Sequence, residues 1–550
     1  MIIAFVLLVA ALPVYTSAAD SDFEIKNGVL VRYNGTSGTV NVPNTVTAVG
    51  DNAFSKSSFV NTVNLPVSVK IIGNYAFNDC ANLTSVNIAG AITEIGAYAF
   101  NSCYFLNGLK LPESLKMIGP GAFANCYSIS ELTLGNQLTS LGLRAFSMCI
   151  SLKAMHIPDN LVSIGNGAFS GCLKLENYTI SEKNTAFAVF DGVLYSKDGK
   201  TLVAYPQARE GAYTLRAGTV SIADGAFSYA MGLTGLAGTQ NLEIIETFAF
   251  EGCISLRDIY LPKAQLINDY AFQKCSSLKT ARLGSANVGK YSFAECDVLN
   301  TVIISEGAWF INDFAFGWCP LLADLVLPSS IQRIGSNVFS YSPKDTRILC
   351  DVGSVPYRYF NTIDPPLVCA PLPAPSDWAV ELLKASDRFA VANLQIGFKE
   401  NATRHQFALA VANFLEQYYN KGIDAIVKER DAAMGSFSDT EDKDILSVNA
   451  LGVVNGTGDG EFSPDALLTR EQAAALMHRI MVEVLGIDTS DVPKASYKDS
   501  DKISPWASDA VNVMTDLGIM VGDGSNFNPQ QNCTREMCII MFSRLWEAVK

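Results

Sequence analysis

The chain has 550 residues, of which 49% are apolar and 17% are charged, and this composition excludes an intrinsically disordered protein. Its 40 basic and 54 acidic side chains give a net charge of −14, which argues against nucleic-acid binding through a basic surface. Only three histidines are present, so a site built on clustered histidines has little material.

The first 19 residues predict a signal peptide. Their apolar run, Ile2 to Pro13, is too short to span a bilayer as a helix, which takes about 20 residues. Ser17-Ala18-Ala19 supplies small residues that signal peptidase accepts. We therefore expect an exported, secreted protein whose mature chain starts near Asp20, with a buried N-terminal strand as the alternative. No other segment reaches transmembrane length.

A phenylalanine, preceded by alanine in ten of twelve copies, recurs through the first 346 residues. The twelve phenylalanines are spaced by 23 residues in the first six copies and by 21 to 23 in the last six, with 58 residues between the two sets: Phe54, Phe77, Phe100, Phe123, Phe146, Phe169, Phe227, Phe250, Phe272, Phe293, Phe316 and Phe339. Each unit also contains a Leu-x-x-apolar-x-apolar segment, whose final period of two predicts a short strand. Such short strands are stable only when stacked, so we predict an α/β-type solenoid with one parallel strand per repeat.

The repeat resembles the BspA-type leucine-rich repeats of bacterial surface proteins. The resemblance rests on the Leu-x-x-Leu-x-Leu segment, the 23-residue period and the Ile-Gly-x-x-Ala-Phe-x-x-Cys segment, and it runs from Phe23 to Thr346. Gly28-Val29-Leu30 and Gly192-Val193-Leu194 each precede six repeats. We therefore predict two half-solenoids, residues 20–186 and 187–346, each opened by a hairpin-like module.

Nine of the thirteen cysteines lie three residues after a repeat phenylalanine: Cys80, Cys103, Cys126, Cys149, Cys172, Cys253, Cys275, Cys296 and Cys319. Equivalent residues on adjacent coils lie about 4.7–4.9 Å apart and point the same way, which does not readily give the Cβ directions of a disulfide. We therefore favour buried free thiols that pack as small hydrophobes over disulfides or metal ligands. Cys350 and Cys369 are the best candidates for a disulfide.

The repeat stops after Thr346. Residues 347–375, with Pro365-Pro366 and the start of the proline-rich segment PLPAPSD, are predicted to be a stiff linker. Residues 371–550 carry 26 acidic and 16 basic side chains, so the last third is distinctly acidic. It contains three Thr-Arg pairs, each before an apolar helix: Thr403-Arg404, Thr469-Arg470 and Thr534-Arg535. Threonine is a good helix N-cap, and the apolar residues that follow recur at helical spacing.

The last third resembles the surface-layer homology (SLH) module in three copies, which we place at residues 376–435, 436–495 and 496–550. The resemblance rests on the Thr-Arg pairs, on Phe437-Ser438-Asp439 and Tyr497-Lys498-Asp499, and on glycine-rich turns at 456–460 and 522–524. The first copy lacks the Gly-Asp-Gly turn, and the second lacks the Trp-Ala start of its first helix. The resemblance implies an all-α pseudo-trimer that binds secondary cell-wall polysaccharide on peptidoglycan, often through acidic pyruvate-ketal sugars.

The chemistry of the Thr-Arg pairs fits an acidic sugar. An arginine at a helix N-terminus presents a bidentate fork beside free backbone N–H groups. With the resemblance, this predicts a polysaccharide site in which arginines bind the carboxylate, tryptophans and glycines line the groove and aspartates position it: Arg404, Arg470, Arg535, Trp378, Trp506, Gly456, Gly522, Asp439 and Asp499. The alternative is that each Thr-Arg pair only caps and staples its helix.

The leading functional hypothesis is a non-enzymatic protein, anchored to the bacterial cell wall or S-layer, whose solenoid presents a protein-binding or glycan-binding face. Adhesion is what the repeat resemblance implies. The predicted outward column of the strands is chemically mixed: Asn87, Lys110, Thr133, His156, Thr179, Tyr260, Arg282, Ile303 and Val326. The alternatives are a wall or polysaccharide hydrolase and a purely structural surface-layer component.

The sequence offers little for catalysis or for a cofactor. We find no Gly-x-Ser-x-Gly motif with a plausible triad, no His-Glu-x-x-His motif and no Walker loop. Asp191 and Asp198 are the acids to consider for a hydrolase, although a turn role suits them better. The turn NGTGDG is similar to a calcium loop, but its twelfth position is Ala466 and not glutamate. No C-x-x-C pair exists for zinc.

Overall fold

The computed structural model describes residues 18–363, 367–371, 376, 379, 398–419 and 421–550. Most of the predicted signal peptide and the predicted groove residue Trp378 lie outside these residues. The chain forms a β-solenoid followed by a helical module. Within the described ranges we find no helix with the length and apolar character needed to cross a lipid bilayer.

The first half of the solenoid contains fourteen strands: β1 (Phe23–Lys26), β2 (Val29–Tyr33), β3 (Thr39–Asn41), β4 (Ala48–Val49), β5 (Thr62–Leu65), β6 (Ile71–Ile72), β7 (Ser85–Ile88), β8 (Glu94–Ile95), β9 (Gly108–Leu109), β10 (Met117–Ile118), β11 (Ser140–Leu141), β12 (Ala154–Ile157), β13 (Ser163–Ile164) and β14 (Asn177–Ile180).

The second half contains β15 (Phe187–Phe190), β16 (Val193–Ser196), β17 (Thr201–Ala204), β18 (Gly211–Thr214), β19 (Ser221–Ile222), β20 (Leu233–Ala237), β21 (Ile244–Ile245), β22 (Asp258–Leu261), β23 (Leu266–Ile267), β24 (Thr280–Leu283), β25 (Asn287–Val288), β26 (Thr301–Ile304), β27 (Phe310–Ile311), β28 (Asp324–Val326), β29 (Arg333–Ile334), β30 (Arg347–Leu349) and β31 (Val368–Ala370).

Most coils contain two strands, where the sequence predicts one. The predicted strand follows the repeat leucine, and a second strand of two residues precedes the Gly of the Ile-Gly pair, as in β8 and β10. These two-residue strands form one sheet in each half, in the orders β1-β2-β4-β6-β8-β10-β11-β13 and β15-β16-β17-β19-β21-β23-β25-β27-β29. Two residues are too few to show a period of two, so the sequence pattern did not reveal this sheet.

The predicted strands form the other face of the solenoid, which we call the Leu-strand face. Its strands pair as β3-β5-β7-β9 and β12-β14 in the first half, and as β18-β20 and β22-β24-β26-β28-β30-β31 in the second. All pairs within these sheets are parallel, whereas β1–β2, β15–β16 and β16–β17 are antiparallel. The antiparallel pairs confirm the hairpin-like modules predicted to open each half.

Aromatic rings stack along the core of each half. Neighbouring rings from Phe54 to Phe169 have centroids 4.8–5.9 Å apart and planes within 8° of parallel. The stack is interrupted at the seam, where Tyr178 packs edge-on against Phe169, and resumes at Phe227. Because every coil supplies an identical ring at the same height, the repeat itself builds the core.

The cysteines confirm the prediction of buried free thiols. All thirteen are free, and the nine repeat cysteines are fully buried. Each repeat thiol donates to a phenylalanine carbonyl of the preceding coil, as in Cys103 Sγ to Phe77 O at 3.1 Å. Burial raises the pKa of the Cys80 thiol to about 12. The possible disulfide between Cys350 and Cys369 is absent, since both are free.

The solenoid ends later than predicted. Residues 347–370, which we expected to be part of a linker, add β30 and β31 to the Leu-strand sheet. Between them the helix α1 (Val355–Thr362) covers the last coil, with Phe360 packed against the repeat residue Phe339. This cap shields the end of the stack from solvent, as terminal repeats of solenoids generally do. The prolines of the predicted linker at 365–366 and 372–374 lie outside the described residues.

The helical module contains α2 (Arg404–Tyr419), α3 (Ile423–Glu429), α4 (Lys443–Ala450), α5 (Arg470–Arg479), α6 (Ser508–Asp516) and α7 (Arg535–Val549). A short π-helix, Ile480–Val484, extends α5, and a 3₁₀ turn, Pro505–Ala507, precedes α6. One hydrophobic cluster joins all three predicted copies. Short antiparallel bridges link the segments that lead into the three Thr-Arg helices, at Thr403–Leu467, Thr469–Asn532 and Asn401–Thr534.

The helical module packs against the Leu-strand face of the second half, which corrects our expectation of an exposed column there. Arg257 and Lys279 form ion pairs with Asp444 and Asp442 of the helical module. Arg282 is only 7% exposed, and Ile303, 8% exposed, packs with Leu349 of the solenoid. In the first half the same column is exposed, for example at Lys110 and His156. Residues 416, 422–424 and 444 of the helical module share a cavity with Tyr260 and its neighbours.

Candidate functional site

The three Thr-Arg pairs occupy equivalent places around the helical module. Each threonine hydroxyl accepts a hydrogen bond from the backbone N–H three residues on, for example from Gln472 to Thr469, and so caps its helix. Each arginine then reaches a loop of another copy. Arg404 contacts the turn of the second copy and Arg470 the turn of the third. Arg535 contacts Glu400 of the first copy.

Arg470 forms one wall of a groove between the second and third copies. Its Nε donates to the carbonyl of Phe527 and its Nη2 to that of Val521, both at 2.8 Å. The guanidinium also lies over the Phe527 ring, 4.9 Å from the ring centre. Arg470 therefore staples the turn through Nε and Nη2, and within the described residues its Nη1 has no hydrogen-bond partner.

This groove is a cavity of about 470 Å³. Its lining combines Arg470, the turn residues Gly522 and Asp523, apolar side chains of α7 and a second basic residue, Arg544. The Asp523 carboxylate accepts backbone hydrogen bonds from Ser525 and Asn526, which hold its pKa well below the ordinary range. Asp523 therefore stays ionised in the turn, in a cavity that two arginines also face.

Arg404 repeats this arrangement between the first and second copies. Its Nε donates to the carbonyl of Phe462 at 2.8 Å and its Nη2 to that of Asn455 at 2.9 Å. Arg479 takes the place of Arg544, since each donates to a carbonyl near the start of the facing turn, Val453 and Ile519 respectively. Burial, with the nearby charge of Arg479, lowers the pKa of Arg404.

The third position differs from the other two. Arg535 forms an ion pair with Glu400 at 3.0 Å, so a carboxylate of the chain itself neutralises it. The position equivalent to Arg479 and Arg544, nine residues after the Thr-Arg arginine, is Asn413 in the first copy. Among the described residues, the third position therefore lacks the pair of arginines that characterises the first two.

The aspartates and glycines hold the turns that complete the two grooves. Asp499 accepts backbone hydrogen bonds from Phe527 and Asn528 at 2.8 and 2.9 Å, and Asp439 accepts the equivalent pair from Phe462 and Ser463. Both aspartates lie beneath their turns and not among the residues that line the Arg470 cavity.

Gly522 is required by close packing, and Gly456 occupies the equivalent place in the second turn. A Cβ at Gly522 would lie 2.2 Å from the carbonyl oxygen of Asn526 and 2.7 Å from the Tyr497 ring. A Cβ at Gly456 would lie 2.7 Å from the carbonyl oxygen of Glu461. Any larger residue would therefore displace the turn that supplies the carbonyls bound by Arg470 or Arg404.

The two tryptophans predicted to line the groove are not among the described residues that line the Arg470 cavity. Trp506 is 58% exposed at the start of the third copy and does not line the Arg470 cavity. Trp378 lies outside the described residues. The structure thus brings Arg470 and Gly522 into one cavity and sets Trp506 apart from it.

The second arginine of each groove was missed at the sequence level. Arg479 and Arg544 each lie nine residues after a Thr-Arg arginine, a regularity that was visible in the second and third copies. Nine residues are two and a half helical turns, so this arginine lies near the far end of the helix from the Thr-Arg pair. Comparing whole helices, and not only their starts, would have found it.

The acids considered for a hydrolase, Asp198 and Asp191, form contacts within the second half of the solenoid. Asp198 accepts hydrogen bonds from Ser196 and from the backbone of Lys200 within one hairpin turn. Asp191 forms an ion pair with Arg209 at 3.0 Å. Both contacts fit the turn role that we considered better suited to them.

Comparison with known proteins matches the two parts of the chain separately. The family model "BspA type Leucine rich repeat region" matches residues 32–149, 117–190 and 220–345. The family model "S-layer homology domain" matches residues 436–474 and 496–536, within the second and third predicted copies.

Two curated relatives and one solved structure illustrate the similarity. The S-layer protein sap of Bacillus anthracis is 30% identical over 130 residues, 22% of this chain and 14% of that protein. An endoglucanase of Bacillus sp. (strain KSM-635) is 31% identical over 150 residues, 26% of this chain and 15% of that protein. The chain therefore spans about a seventh of the length of these relatives.

The pneumococcal vaccine antigen PcpA is similar in structure, with a TM-score of 0.52 at 22% identity over 63% of this chain and 95% of that one. At this identity the likeness concerns the fold alone.

Proposed function

Because this chain belongs to the family of BspA type leucine rich repeat proteins, whose repeats cover more than half of it, and carries S-layer homology domains, we propose that its helical module binds acidic cell-wall polysaccharide through two arginine-paired grooves. The chain is a protein of the cell surface or cell wall, as its S-layer homology domains and S-layer relatives indicate. The proposal concerns what holds it there.

The observation that carries the proposal is the arginine pair in each groove. Arg470 and Arg544 line one cavity, and Arg404 and Arg479 are close enough for the charge of one to lower the pKa of the other. Like charges repel, so an anion that binds between two arginines this close together relieves their repulsion, which favours binding. A sugar carboxylate suits this site because guanidinium groups bind carboxylates with paired hydrogen bonds.

The net charge of the chain does not oppose this binding. Screening limits the reach of surface charges to about 10 Å at 0.1 M salt, so the two arginines dominate the potential inside a groove. The acid that lines the Arg470 groove, Asp523, is outnumbered there by Arg470 and Arg544. Binding should therefore weaken as salt is raised, because part of the attraction is electrostatic.

The three Thr-Arg positions are not expected to contribute equally. Arg404 and Arg470 each have a second arginine opposite, whereas Arg535 is paired with Glu400. We therefore assign the wall interaction mainly to the first two grooves, and a minor part to Arg535.

For the solenoid we propose that the first half presents the binding surface for an external protein or glycan. Its Leu-strand face is exposed, and it contains a cleft of about 850 Å³ where the sheet is interrupted between β9 and β12. The cleft is lined by Asn87, Lys110 and Glu131 together with Val86 and Leu109. This mixed lining favours hydrogen bonding combined with apolar contact.

Sedimentation with purified cell-wall sacculi tests the wall interaction. The intact chain should pellet with sacculi that carry their secondary polysaccharide and stay in solution once hydrofluoric acid has removed that polymer. Pelleting should fall as the salt concentration rises. Equal pelleting with stripped sacculi would refute polysaccharide recognition and point to peptidoglycan instead.

A further inference from the structure

The second copy of the helical module departs from the repeat where it meets the solenoid. At the other two places, a glutamate after the Thr-Arg pair accepts a hydrogen bond from a serine of a neighbouring copy: Glu471 from Ser504 and Glu536 from Ser376. At the third equivalent place His405 replaces the glutamate, and it contacts Asp442 at 3.3 Å.

Two residues after Asp442, the second copy differs from the third again. Asp444 stands in the second copy where the third copy has Trp506, because each lies two residues after the contact residue, Asp442 or Ser504. The start of α4 has therefore exchanged a serine and a tryptophan for two aspartates. We attribute these two changes to a contact outside the helical module.

The two aspartates bind the second half of the solenoid. Asp442 accepts a hydrogen bond from Lys279 at 2.9 Å and Asp444 forms an ion pair with Arg257 at 3.1 Å. The Asp444 and Arg257 side chains are 20% and 17% exposed. Removing either partner of a contact shielded to this degree leaves the other polar group buried without compensation, which is costly.

A close backbone approach lies next to these ion pairs. Gly422, which precedes α3, packs on Ala212 in β18, and a Cβ at Gly422 would lie 2.1 Å from that of Ala212. The glycine has an ordinary backbone conformation, with φ of −64°, so its own fold does not require glycine. Glycine is required at this position because the solenoid lies so close to it.

We propose that the start of α4, together with Gly422, is a docking surface whose partner is the Leu-strand face of the solenoid's second half. This clasp fixes the orientation of the solenoid on the helical module. It also keeps that face covered, which leaves the first half to meet external ligands. The inference does not depend on wall binding, since none of its residues lines the Arg470 groove.

Zero-length cross-linking of the full chain tests the clasp. A carbodiimide joins an amine to a carboxylate only when the two are in contact, so it should link Lys279 to Asp442 between the modules. Two ion pairs serve as internal controls: Lys290–Asp313 within the solenoid, at 3.4 Å, and Lys421–Glu429 within the helical module, at 2.6 Å. Mass spectrometry of the digested protein measures all three links.

Gly422→Ala should lower the Lys279–Asp442 link about tenfold, which corresponds to a loss of ~1.4 kcal/mol, and leave both control links unchanged. Ala212→Gly combined with Gly422→Ala moves the methyl group to the other side of the interface and should restore the link. The absence of the link in the native chain while both controls form would overturn the proposal. So would an unchanged link in Gly422→Ala, or a double variant that does not recover.

Discussion

The solenoid and the helical module are both built from repeats, but departures from the repeat mean different things in each. In the solenoid, Ser342 replaces a repeat cysteine and still donates to the Phe316 carbonyl, as Cys319 does to Phe293. In the helical module, Asp442 and Asp444 replace repeat residues and acquire new ion pairs. A substitution in the solenoid therefore preserves a structural role, whereas a substitution in the helical module changes what a site binds.

The largest expected effect on stability comes from the stacked phenylalanines of the solenoid. Phe123→Ala should lower the free energy of unfolding by about 3–5 kcal/mol, because the ring is fully buried between Phe100 and Phe146 and its loss leaves a cavity. Phe59→Ala is the matched control, since this phenylalanine is 60% exposed and should change stability by less than about 0.5 kcal/mol. Chemical denaturation measures both, and equal effects would contradict the proposed role of the stack.

A substitution in the turns of the helical module should destabilise the protein less than Phe123→Ala does. Asp499→Ala removes the acceptor of two backbone N–H groups and should cost about 1–3 kcal/mol. It should also weaken binding to sacculi, because the turn that supplies Gly522 loses its support. Asp501→Ala, which alters an exposed neighbouring acid, is the control. A variant with normal binding but reduced stability would show that Asp499 does not shape the groove.

Docking of the two modules should depend on pH. Burial, with Asp258 and Asp442 nearby, raises the pKa of Asp444 to about 7, although Arg257 and Lys279 oppose the shift. Burial, with Asp444, Asp258 and Asp424, raises the pKa of Glu416 to about 8 against a backbone hydrogen bond from Ile423. Asp442 behaves oppositely: burial would raise its pKa, but hydrogen bonds from His405 and Lys279 lower it overall.

The raised pKa of Asp444 means that its burial at the interface outweighs the attraction of Arg257, so docking favours the protonated carboxyl beside Arg257. This contribution is present in full below the ordinary pKa of about 4 and is lost as pH rises through about 7. The contribution of Asp442 is lost as pH falls below about 4. Small-angle scattering should therefore show the most compact chain at mildly acidic pH and a longer one at pH ~9. A maximum dimension that stays constant across this range would contradict the linkage.

The smallest effect should come from exchanging the repeat cysteine for serine. Cys149→Ser should change the stability by about 1 kcal/mol or less, because the hydroxyl can make the bond that Cys149 Sγ makes to the Phe123 carbonyl. In the native chain, thiol reagents should react with the nine repeat cysteines only after denaturation, since burial raises their pKa values. Rapid titration of several repeat thiols before unfolding would contradict the buried ladder.

Sequence reasoning performed well wherever a residue repeats and poorly where it does not. The stacked phenylalanines, the free cysteines and the hairpin modules follow from periodicity, because identical coils must make identical contacts. The two-residue strands of the second sheet were not predicted, because they are too short to show a pattern. The ion pairs of Glu400 and Asp444 escaped because each joins segments far apart in the chain, which no local pattern connects.

The two grooves that we propose to bind the wall could be predicted only in part. The Thr-Arg pairs pointed to Arg404 and Arg470, but their main hydrogen bonds go to backbone carbonyls of the next copy. The staple interpretation and the ligand interpretation thus describe different nitrogens of the same guanidinium. Which nitrogens remain for a ligand depends on how the copies pack, and the sequence of one copy does not contain that information.

The most direct test of the account compares two arginine variants of the full chain in binding to polysaccharide-bearing sacculi. Arg479→Ala combined with Arg544→Ala removes one arginine from each groove without breaking the staples of Arg404 and Arg470. We predict that this variant keeps its helical circular dichroism and loses at least about tenfold in affinity, whereas Arg535→Ala, already neutralised by Glu400, loses much less. Unchanged binding in the double variant, or a greater loss in Arg535→Ala, would contradict the assignment of wall binding to the paired arginines.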